Sequence, residues 1–407
     1  MEFQIYLILA TTCLILPWTK HYGIIPLIGL LLALPVGNAL SLYFYKWGLF
    51  FYDFYFFSLF IRLVKERQRL DKWMLGSMLL SMFYAVVALL GGTALDLYFM
   101  RDFRLVIYLM TLTVLIAMRY VAINISSVAV KRLALLSGVS CSLYAAMMVV
   151  GVFTFEDYYY VRNSYRYFAI SSYFSFGFLV FSNFLPSDSR RGALYVVALV
   201  VSLLGVFLTG FRVMALVAVM LFVAGSIKSV RGSITLFVLL FLTAPVLLLT
   251  QGDSGNGAAM ARIADLSPEI ISNNIHYRFL PFFREYEKFS YLDAIIGGGF
   301  GQTFEIPWFY YRDTKDYISN SIDSTYLTLY AKFGFIGLIY LVSYIYAYSR
   351  ILGAGRDRIV WSVVVVLSFL WMVYALPYQM ASVGLGLALF AIGSAGDGKA
   401  SGEKVKM

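Results

Sequence analysis

The sequence predicts an all-α polytopic membrane protein with about 12 or 13 transmembrane helices and one large loop outside the membrane. Hydrophobic residues make up 61% of the 407 residues and charged residues only 13%, which is more apolar surface than a soluble domain of this size can bury. Apolar stretches long enough to cross a bilayer recur along the chain. Because lipid offers no hydrogen-bond partners, we expect these stretches to be helices.

The candidate spans divide the chain into four parts. Residues 1–250 hold about ten N-terminal helices with short loops. Residues 251–322 form a large loop, here called the hydrophilic segment. Residues 323–394 hold the C-terminal helices, and residues 395–407 form a disordered tail. The first three spans are crowded, so one of them could be re-entrant. The spans lie near residues 3–18, 22–44, 47–64, 73–92, 104–122, 133–155, 168–185, 193–209, 213–227, 233–250, 323–345, 359–376 and 379–394.

The orientation follows from the Lys and Arg content of alternate loops, because cytoplasmic loops carry an excess of these residues. The hydrophilic segment and the loop at 156–167 then face the outside, and the tail is cytoplasmic. The net charge of +10 is largely this topological signal, so we do not expect nucleic-acid binding. The basic residues on the cytoplasmic side are Lys65, Arg67, Arg69, Lys72, Lys131, Arg132, Arg190, Arg191, Lys228, Arg231, Arg350, Arg356, Arg358, Lys399, Lys404 and Lys406.

The hydrophilic segment concentrates the chemistry on the outer side. Residues 267–290 look helical and amphipathic, with an aromatic face and with Arg278 and Arg284 on or near the polar side. We expect this stretch to lie along the membrane surface. The glycines at 297, 298, 299 and 301 allow a tight backbone turn before the chain returns to the membrane.

Three further arginines are candidates for binding an anion. Arg212 lies at the outer junction of two short spans, where it either snorkels to the headgroups or clamps phosphate oxygens with its rigid donor fork. Arg162 and Arg166 alternate with tyrosines in the loop at 156–167. An interfacial tyrosine belt explains most of that pattern, but stacked aromatics and paired arginines would also suit a sugar linked to a diphosphate.

Two titratable residues near the outer face have alternative roles. His276 lies two residues from Arg278, so it is either structural or catalytic. Asp323 begins a predicted span, where it is either a helix cap or a general base. The two cysteines, Cys13 and Cys141, both fall inside apolar spans and have no metal-ligand spacing. We therefore expect neither a metal nor a cofactor.

Three ordered stretches resemble the O-antigen polymerase and ligase family of bacterial inner membranes. The first is Thr209-Gly-Phe-Arg212, between paired spans. The second is Arg278-Phe-Leu-Pro-Phe-Phe-Arg284, followed by Ile-Ile-Gly-Gly-Gly-Phe-Gly at 295–301. The third is Asp323-Ser-Thr-Tyr-Leu, leading to Phe-Gly-Phe-Ile-Gly at 333–337. The resemblance covers roughly residues 195–345, and it is the order of the motifs that makes it specific.

The resemblance implies a glycosyltransferase C-like bundle that transfers a glycan from undecaprenyl diphosphate on the periplasmic face, without metal or nucleotide sugar. It implies that Arg212 and Arg278 engage the diphosphate, and we expect support from Arg284, Arg166 and Arg162. Candidates for removing the acceptor proton are Asp323, His276 and Glu269. The implied partners are the lipid-linked oligosaccharide, membrane lipid and a chain-length regulator.

The resemblance favours the polymerase over the ligase. Ligases of the family carry His-Asn where this chain has Asp323-Ser324, and that histidine is functionally important. A ligase that hands the glycan to the lipid A core remains an alternative, because His276 could substitute. The rival from another class is a transporter or flippase of lipid-linked oligosaccharide, which would need midplane charge or broken helices. A purely structural partner in polysaccharide assembly is the third alternative.

Overall fold

The computed structural model is helical over most of the residues it describes. One helical stretch among them, Ser127–Met147, is long and apolar enough to cross a membrane. Four shorter apolar helices are Phe3–Trp18, Met78–Leu90, Leu194–Leu208 and Tyr326–Tyr340. The structure describes residues 2–32, 43–44, 49–66, 72–104, 126–150, 152, 169–182, 192–208, 218–219, 276, 279–306, 318–322, 324–353, 388 and 391.

The chain divides into two compact units. Unit 1 contains residues 1–23, 42–122 and 269–379, and unit 2 contains residues 24–41, 123–268 and 380–407. Each unit therefore combines stretches that are distant in the sequence. The described part of the hydrophilic segment belongs to unit 1.

Unit 1 begins with two packed helices, α1 (Glu2–Ile15) and α3 (Asp53–Lys65). Two 3-10 turns, Leu16–Trp18 and Lys20–Gly23, follow α1. Trp18 fastens this end of α1 to α3, because its indole N–H donates to the Ser58 hydroxyl at 2.8 Å. That hydroxyl in turn donates to the Leu14 carbonyl at 2.7 Å. The contact satisfies polar groups that the end of α1 would otherwise leave unpaired.

The rest of unit 1 surrounds the region that carries the candidate site. The elements are α4 (Lys72–Leu90), α5 (97–104), α9 (279–286), α10 (Tyr291–Ile296) and α11 (Thr325–Gly353). The described part of unit 1 also contains two short antiparallel ladders: β1 (Tyr43–Phe44) with β2 (Leu49–Phe50), and β3 (Phe304–Glu305) with β4 (Ile318–Ser319). In the second ladder Phe304 pairs with Ser319.

In unit 2, α6 (Ser127–Val149), α7 (Ala169–Ser182) and α8 (Gly192–Leu208) pack against one another. Helix α2 (Ile24–Leu32) packs against α6 and α7. Helix α7 is the central element, because every one of its residues from 171 to 182 is buried.

Small residues bring α6 and α8 close together. A Cβ added at Gly205 would lie 2.3 Å from the Ser142 hydroxyl, and one added at Gly138 would lie 2.5 Å from the Ser202 hydroxyl. The two pairs are reciprocal, with a glycine of each helix facing a serine of the other. Such close approach through small residues is typical of helices that pack in a membrane.

Several predicted spans coincide with observed helices. The spans at 73–92, 168–185 and 193–209 match α4, α7 and α8 within about three residues, the usual uncertainty of helix ends.

The span at 22–44 is not one continuous helix. Helix α2 is described only as far as Leu32, and Tyr43–Phe44 is a strand.

The span predicted at 104–122 lies outside the described residues except for residue 104, the last described residue of α5, which begins at residue 97. Asp96 caps this helix, since its carboxylate accepts from the backbone N–H groups of Tyr98 and Phe99 at 2.9 and 3.0 Å.

Candidate functional site

A break in α11 is the centre of the candidate site. Gly334 has φ 59° and ψ −164°, a backbone conformation that is essentially restricted to glycine. The regular pattern of backbone hydrogen bonds between residues four positions apart is therefore interrupted at Gly334. The carbonyls of Ala331, Lys332 and Phe333 are the groups whose helical partners would lie beyond Gly334.

Other elements of unit 1 supply the missing hydrogen bonds. The backbone N–H groups of Gly298 and Gly299 donate to the carbonyls of Ala331 and Lys332 at 2.9 and 2.8 Å. The Tyr84 hydroxyl, from α4, donates to the Phe333 carbonyl. The same hydroxyl is hydrogen-bonded to the Gly337 backbone. The Tyr84 hydroxyl therefore bridges backbone groups on the two sides of the break.

The glycine-rich loop fits the broken helix because it lacks side chains. Gly297 has φ 74°, and a Cβ there would lie 2.4 Å from the Lys332 carbonyl and 2.5 Å from the Gly334 nitrogen. Gly299 has φ 82°, and its Cβ would lie 2.8 Å from the Ala88 nitrogen of α4. The loop is therefore held between α4 and α11 by close backbone contact, which only glycine permits.

A buried ion pair lies beside the break. The Lys332 ammonium is 2.5 Å from an Asp102 carboxylate oxygen, and both side chains are fully buried. The same oxygen accepts from the Gly301 backbone N–H at 2.8 Å, and the other accepts from the Asn320 amide at 3.2 Å. Asp102 therefore joins α5, the glycine-rich loop, the residue after β4 and the broken helix. A buried carboxylate needs such partners, since an unpaired charge in the interior is very costly.

Aromatic residues shield this polar centre from solvent. Phe300 packs edge-on against Phe99 and Phe333, with ring centroids 5.5 and 5.7 Å apart. Tyr84 lies 4.8 Å from Phe333, and all four side chains are buried. Both charged side chains are fully buried in this structure, so their attraction is weakly screened by solvent. The pair joins the elements that carry its hydrogen-bond partners.

Helix α9 carries Arg284, one of the predicted anion-binding residues, and packs on α11. Phe282 is buried, and its ring lies 5.6 Å from that of Tyr286 and 6.0 Å from that of Tyr330 on α11. Arg284, two residues after Phe282, is exposed. Phe282 thus seats α9 on α11 while Arg284 is accessible to a ligand from outside.

A neighbouring lysine offers a comparison for Arg284. The Lys288 ammonium is 2.8 Å from a Glu285 carboxylate oxygen, in an exposed pair one helical turn apart. That hydrogen bond raises the pKa of Lys288 above its ordinary value. The positive charge of Lys288 is therefore partly compensated within the protein. This makes it a useful control for Arg284.

Most of the predicted site residues cannot be compared with the structure. His276 is described as helical and exposed, and Arg284 is exposed on α9. Of the amphipathic helix predicted at 267–290, residues 279–286 are observed as α9, whereas residues 287–290 form a turn and lie outside the helix. The predicted residues that lie outside the described ranges are Arg162, Arg166, Arg212, Glu269, Arg278 and Asp323.

The described residues at the start of α11 show a cap formed by Ser324, the residue after Asp323. The Ser324 hydroxyl accepts from the Leu327 backbone N–H at 3.3 Å, and the Ser324 carbonyl accepts from the Thr328 N–H at 2.9 Å. Ser324 is therefore the N-cap of α11.

The sequence analysis missed Asp102, Lys332 and Asn320. A signal existed for Lys332, because it is a charged residue in the middle of the apolar stretch Tyr326–Tyr340. Its partner Asp102 lies 230 positions away, a pairing that a single sequence does not display. Within the described ranges, no group of three or more His, Cys, Asp or Glu residues could hold a metal ion.

Comparison with known proteins gives a family but no activity. A family of unknown function, DUF6369, matches residues 112–396, so the chain belongs to that family. The matched residues include the glycine-rich loop and Lys332, whereas Asp102 and Tyr84 precede them. No curated protein matches the chain.

Proposed function

We propose that this member of the DUF6369 family is a polytopic enzyme of the bacterial inner membrane that polymerises O-antigen or a related surface polysaccharide. It would transfer the growing glycan from undecaprenyl diphosphate to a lipid-linked repeat unit on the periplasmic face. The observation that carries the proposal is the packing of the arginine-bearing helix α9 on the broken helix α11 through the buried Phe282. The motif order from Arg212 to Gly337, with its resemblance to O-antigen polymerases, supports the same function.

The surface of unit 1 supports a membrane location. Large apolar side chains are exposed along α1 at Phe3 and Ile8, and along α4 at Leu79, Met82 and Leu90. Water would make such contiguous apolar faces unfavourable, whereas lipid tails match them. The glycine–serine contacts between α6 and α8 are also of the kind that brings membrane helices together.

The proposed reaction breaks the bond between the donor sugar and the diphosphate and forms a bond to the acceptor hydroxyl. The electron pair of the broken bond stays on the diphosphate, so the main requirement is to stabilise developing negative charge. Arg212 and Arg278 are assigned to this role, with Arg284, Arg166 and Arg162 in support. Because a guanidinium binds two phosphate oxygens in a fixed geometry, a rigid mount for these arginines favours catalysis.

The acceptor hydroxyl must lose its proton as the new bond forms. Asp323, His276 and Glu269 are the candidates for this general base. Diphosphate is a good leaving group, so base catalysis is expected to contribute less than arginine positioning. Replacing Asp323 by Ala should therefore lower the rate less than replacing Arg212 or Arg278.

One structural observation favours a second candidate, a transporter of lipid-linked oligosaccharide. Transporters often place broken helices and buried charges near the middle of the membrane. The break at Gly334 and the buried pair of Lys332 with Asp102 have this character. The two functions differ in what they require of the pair. A transporter whose movement depends on this centre needs the two charges themselves. The polymerase needs the pair only to hold the neighbouring elements in place.

The polymerase is tested with the full-length protein in liposomes, supplied with undecaprenyl diphosphate-linked repeat units. We expect a glycan ladder on a gel without added metal or nucleotide. Arg212→Ala and Arg278→Ala should each abolish the ladder, and Arg284→Ala should weaken it. Lys288→Ala is the matched control, because that residue is a partly compensated cation on the same surface.

Other outcomes separate the alternatives. Normal chain lengths in both the Arg212 and the Arg278 variants would overturn the diphosphate assignment. Transfer that appears only after a lipid A–core acceptor is added would make the protein a ligase and would return attention to His276. Movement of lipid-linked oligosaccharide between leaflets without bond formation would favour the transporter. In that case the charge-free variant Asp102→Asn with Lys332→Met should abolish the movement.

A further inference from the structure

We propose that α10, residues Tyr291–Ile296, inserts its apolar face into the outer boundary of the bilayer, between the headgroups and the acyl chains. The inference depends on the membrane location in the proposed function, but not on the glycosyl transfer itself. The exposed side chains are Tyr291, Leu292 and Ile295, with exposed fractions of 95%, 61% and 51%. Positions three and four apart share one face of a helix, so these side chains form a single apolar surface.

The capped ends of α10 are compatible with a position in lipid. Ser290 and Asp293 form a capping box, in which the Ser290 hydroxyl accepts from the Asp293 N–H and the Asp293 carboxylate accepts from the Ser290 N–H. At the other end the Gly297 N–H donates to the Asp293 carbonyl at 2.7 Å. Such caps occur in helices generally, and here they satisfy backbone groups that would be costly to leave unpaired in lipid.

The apolar face of α10 lies beside that of α11. The Ile295 carbonyl is in direct contact with Gly334, because a Cβ added there would lie 2.3 Å from it. Immediately after Gly334, Phe335 and Ile336 are exposed, and Ile339 is exposed one turn later. A protein partner would have to cover both helices. Bilayer already covers α11 in the proposed topology, and it would cover α10 without an additional component.

The charges of this region fit a shallow position. The polar side chains Arg284, Glu287 and Lys288 are exposed on the residues that precede α10, where headgroups and water would surround them. Within α10 the one charged side chain, Asp293, is turned to the Ser290 hydroxyl at 2.8 Å. Tyrosine at the tip suits the same depth, since its ring is apolar and its hydroxyl can reach the headgroups. The helix would fix the depth of the arginine-bearing α9 relative to the membrane surface.

The chain is well suited to a test with a site-specific probe, because its two cysteines are both buried. In a Cys13→Ala, Cys141→Ser background, Leu292→Cys is labelled with the fluorophore NBD and the full-length protein is reconstituted in liposomes. Lipids that carry a doxyl quencher high or low on the acyl chain then report the depth of the probe. Ile295→Cys provides a second site if the first variant folds poorly.

Two control positions make each outcome decisive. Leu136→Cys lies on an exposed position of α6, the helix long enough to span, and should be quenched by lipid. Glu287→Cys lies among the exposed charges and should not be quenched. We expect the probe at 292 to shift to shorter wavelength and to lose most of its emission to the shallow quencher.

The results that overturn the inference are distinct from those that overturn the proposed function. A probe at 292 that behaves like the probe at 287, while the probe at 136 is quenched, removes the membrane contact of α10 and leaves the membrane location intact. A blue-shifted probe at 292 that no lipid quenches means that protein covers α10. A probe at 136 that is not quenched removes the membrane location, and with it both proposals.

Discussion

Removing one charge of the Asp102–Lys332 pair should destabilise unit 1 far more than removing both. In Asp102→Asn the Lys332 ammonium stays fully buried and loses the carboxylate 2.5 Å away. Breaking a buried pair in this way costs about 3–5 kcal/mol, because an uncompensated charge remains in the interior. The amide oxygen that this substitution introduces can still accept from the Gly301 N–H, so that hydrogen bond does not add to the loss.

The second variant, Lys332→Met, leaves the opposite charge. The Asp102 carboxylate then keeps its hydrogen bonds from Gly301 and from Asn320, so we expect a loss toward the lower end of the same range of about 3–5 kcal/mol. The double variant removes both charges, and methionine fills much of the volume of the lysine stem. Its loss should fall to about 1–2 kcal/mol, which means that the two substitutions are coupled by several kcal/mol.

The measurement is SDS-induced unfolding of the purified protein in mixed micelles, followed by far-UV circular dichroism. Lys288→Met serves as the control, because its ion pair with Glu285 is exposed and should contribute less than about 1 kcal/mol. The reasoning is refuted if Asp102→Asn costs no more than this control. It is also refuted if the loss in the double variant equals the sum of the single losses.

Three further predictions concern the contacts around the broken helix and in unit 2. Gly334→Ala should cost about 3 kcal/mol or more in the free energy of unfolding, because the backbone conformation excludes side chains and the new Cβ would meet a carbonyl. Tyr84→Phe should cost about 1–3 kcal/mol, since the buried Phe333 carbonyl loses its donor. Gly205→Leu should cost about 1–3 kcal/mol by forcing α6 and α8 apart at Ser142. The same unfolding assay measures all three.

Matched substitutions show whether these losses come from the stated contacts. Gly177→Ala controls for the glycine changes, because the nearest neighbour of its Cβ would be the Phe181 ring at 3.9 Å. Tyr291→Phe controls for Tyr84→Phe, because its side chain is exposed. Losses in the controls as large as those in the test variants would mean that the assay reports general sensitivity of the protein. The packing and hydrogen-bond arguments would then fail.

The helices that the sequence predicted well are those in which apolar composition decides the outcome. The stretches that became α4, α7 and α8 are long apolar runs with clear polar ends, so their positions followed from composition. The run from 22 to 44 was treated as one span because it is equally apolar. Its end at Tyr43–Phe44 is a strand paired with Leu49–Phe50, and hydropathy alone does not distinguish a short apolar strand from a helix.

The sequence identified the glycine-rich loop but not its function in the fold. Glycines at 297–301 indicated a tight turn, and three of them do have positive φ. Their contact with the carbonyls before Gly334 could not be predicted, because Gly334 itself looked like an ordinary residue of a continuous span. Asp102 was overlooked for a related reason. It precedes an apolar run as an ordinary charged residue would, and its importance depends on partners from three distant segments.

The broken helix α11 and the glycine-rich loop of the hydrophilic segment complete each other's backbone hydrogen bonding. A helix interrupted at Gly334 in apolar surroundings leaves carbonyls whose desolvation costs about 1–3 kcal/mol each. The loop at 297–301 satisfies two of them, and it can approach closely only because its own glycines and Gly334 lack side chains. The Asp102 carboxylate then fixes the far end of the loop at Gly301 and neutralises Lys332. Backbone hydrogen bonds therefore fix the glycine-rich loop to α11, whereas the arginine-bearing α9 is held on α11 through the buried Phe282 ring.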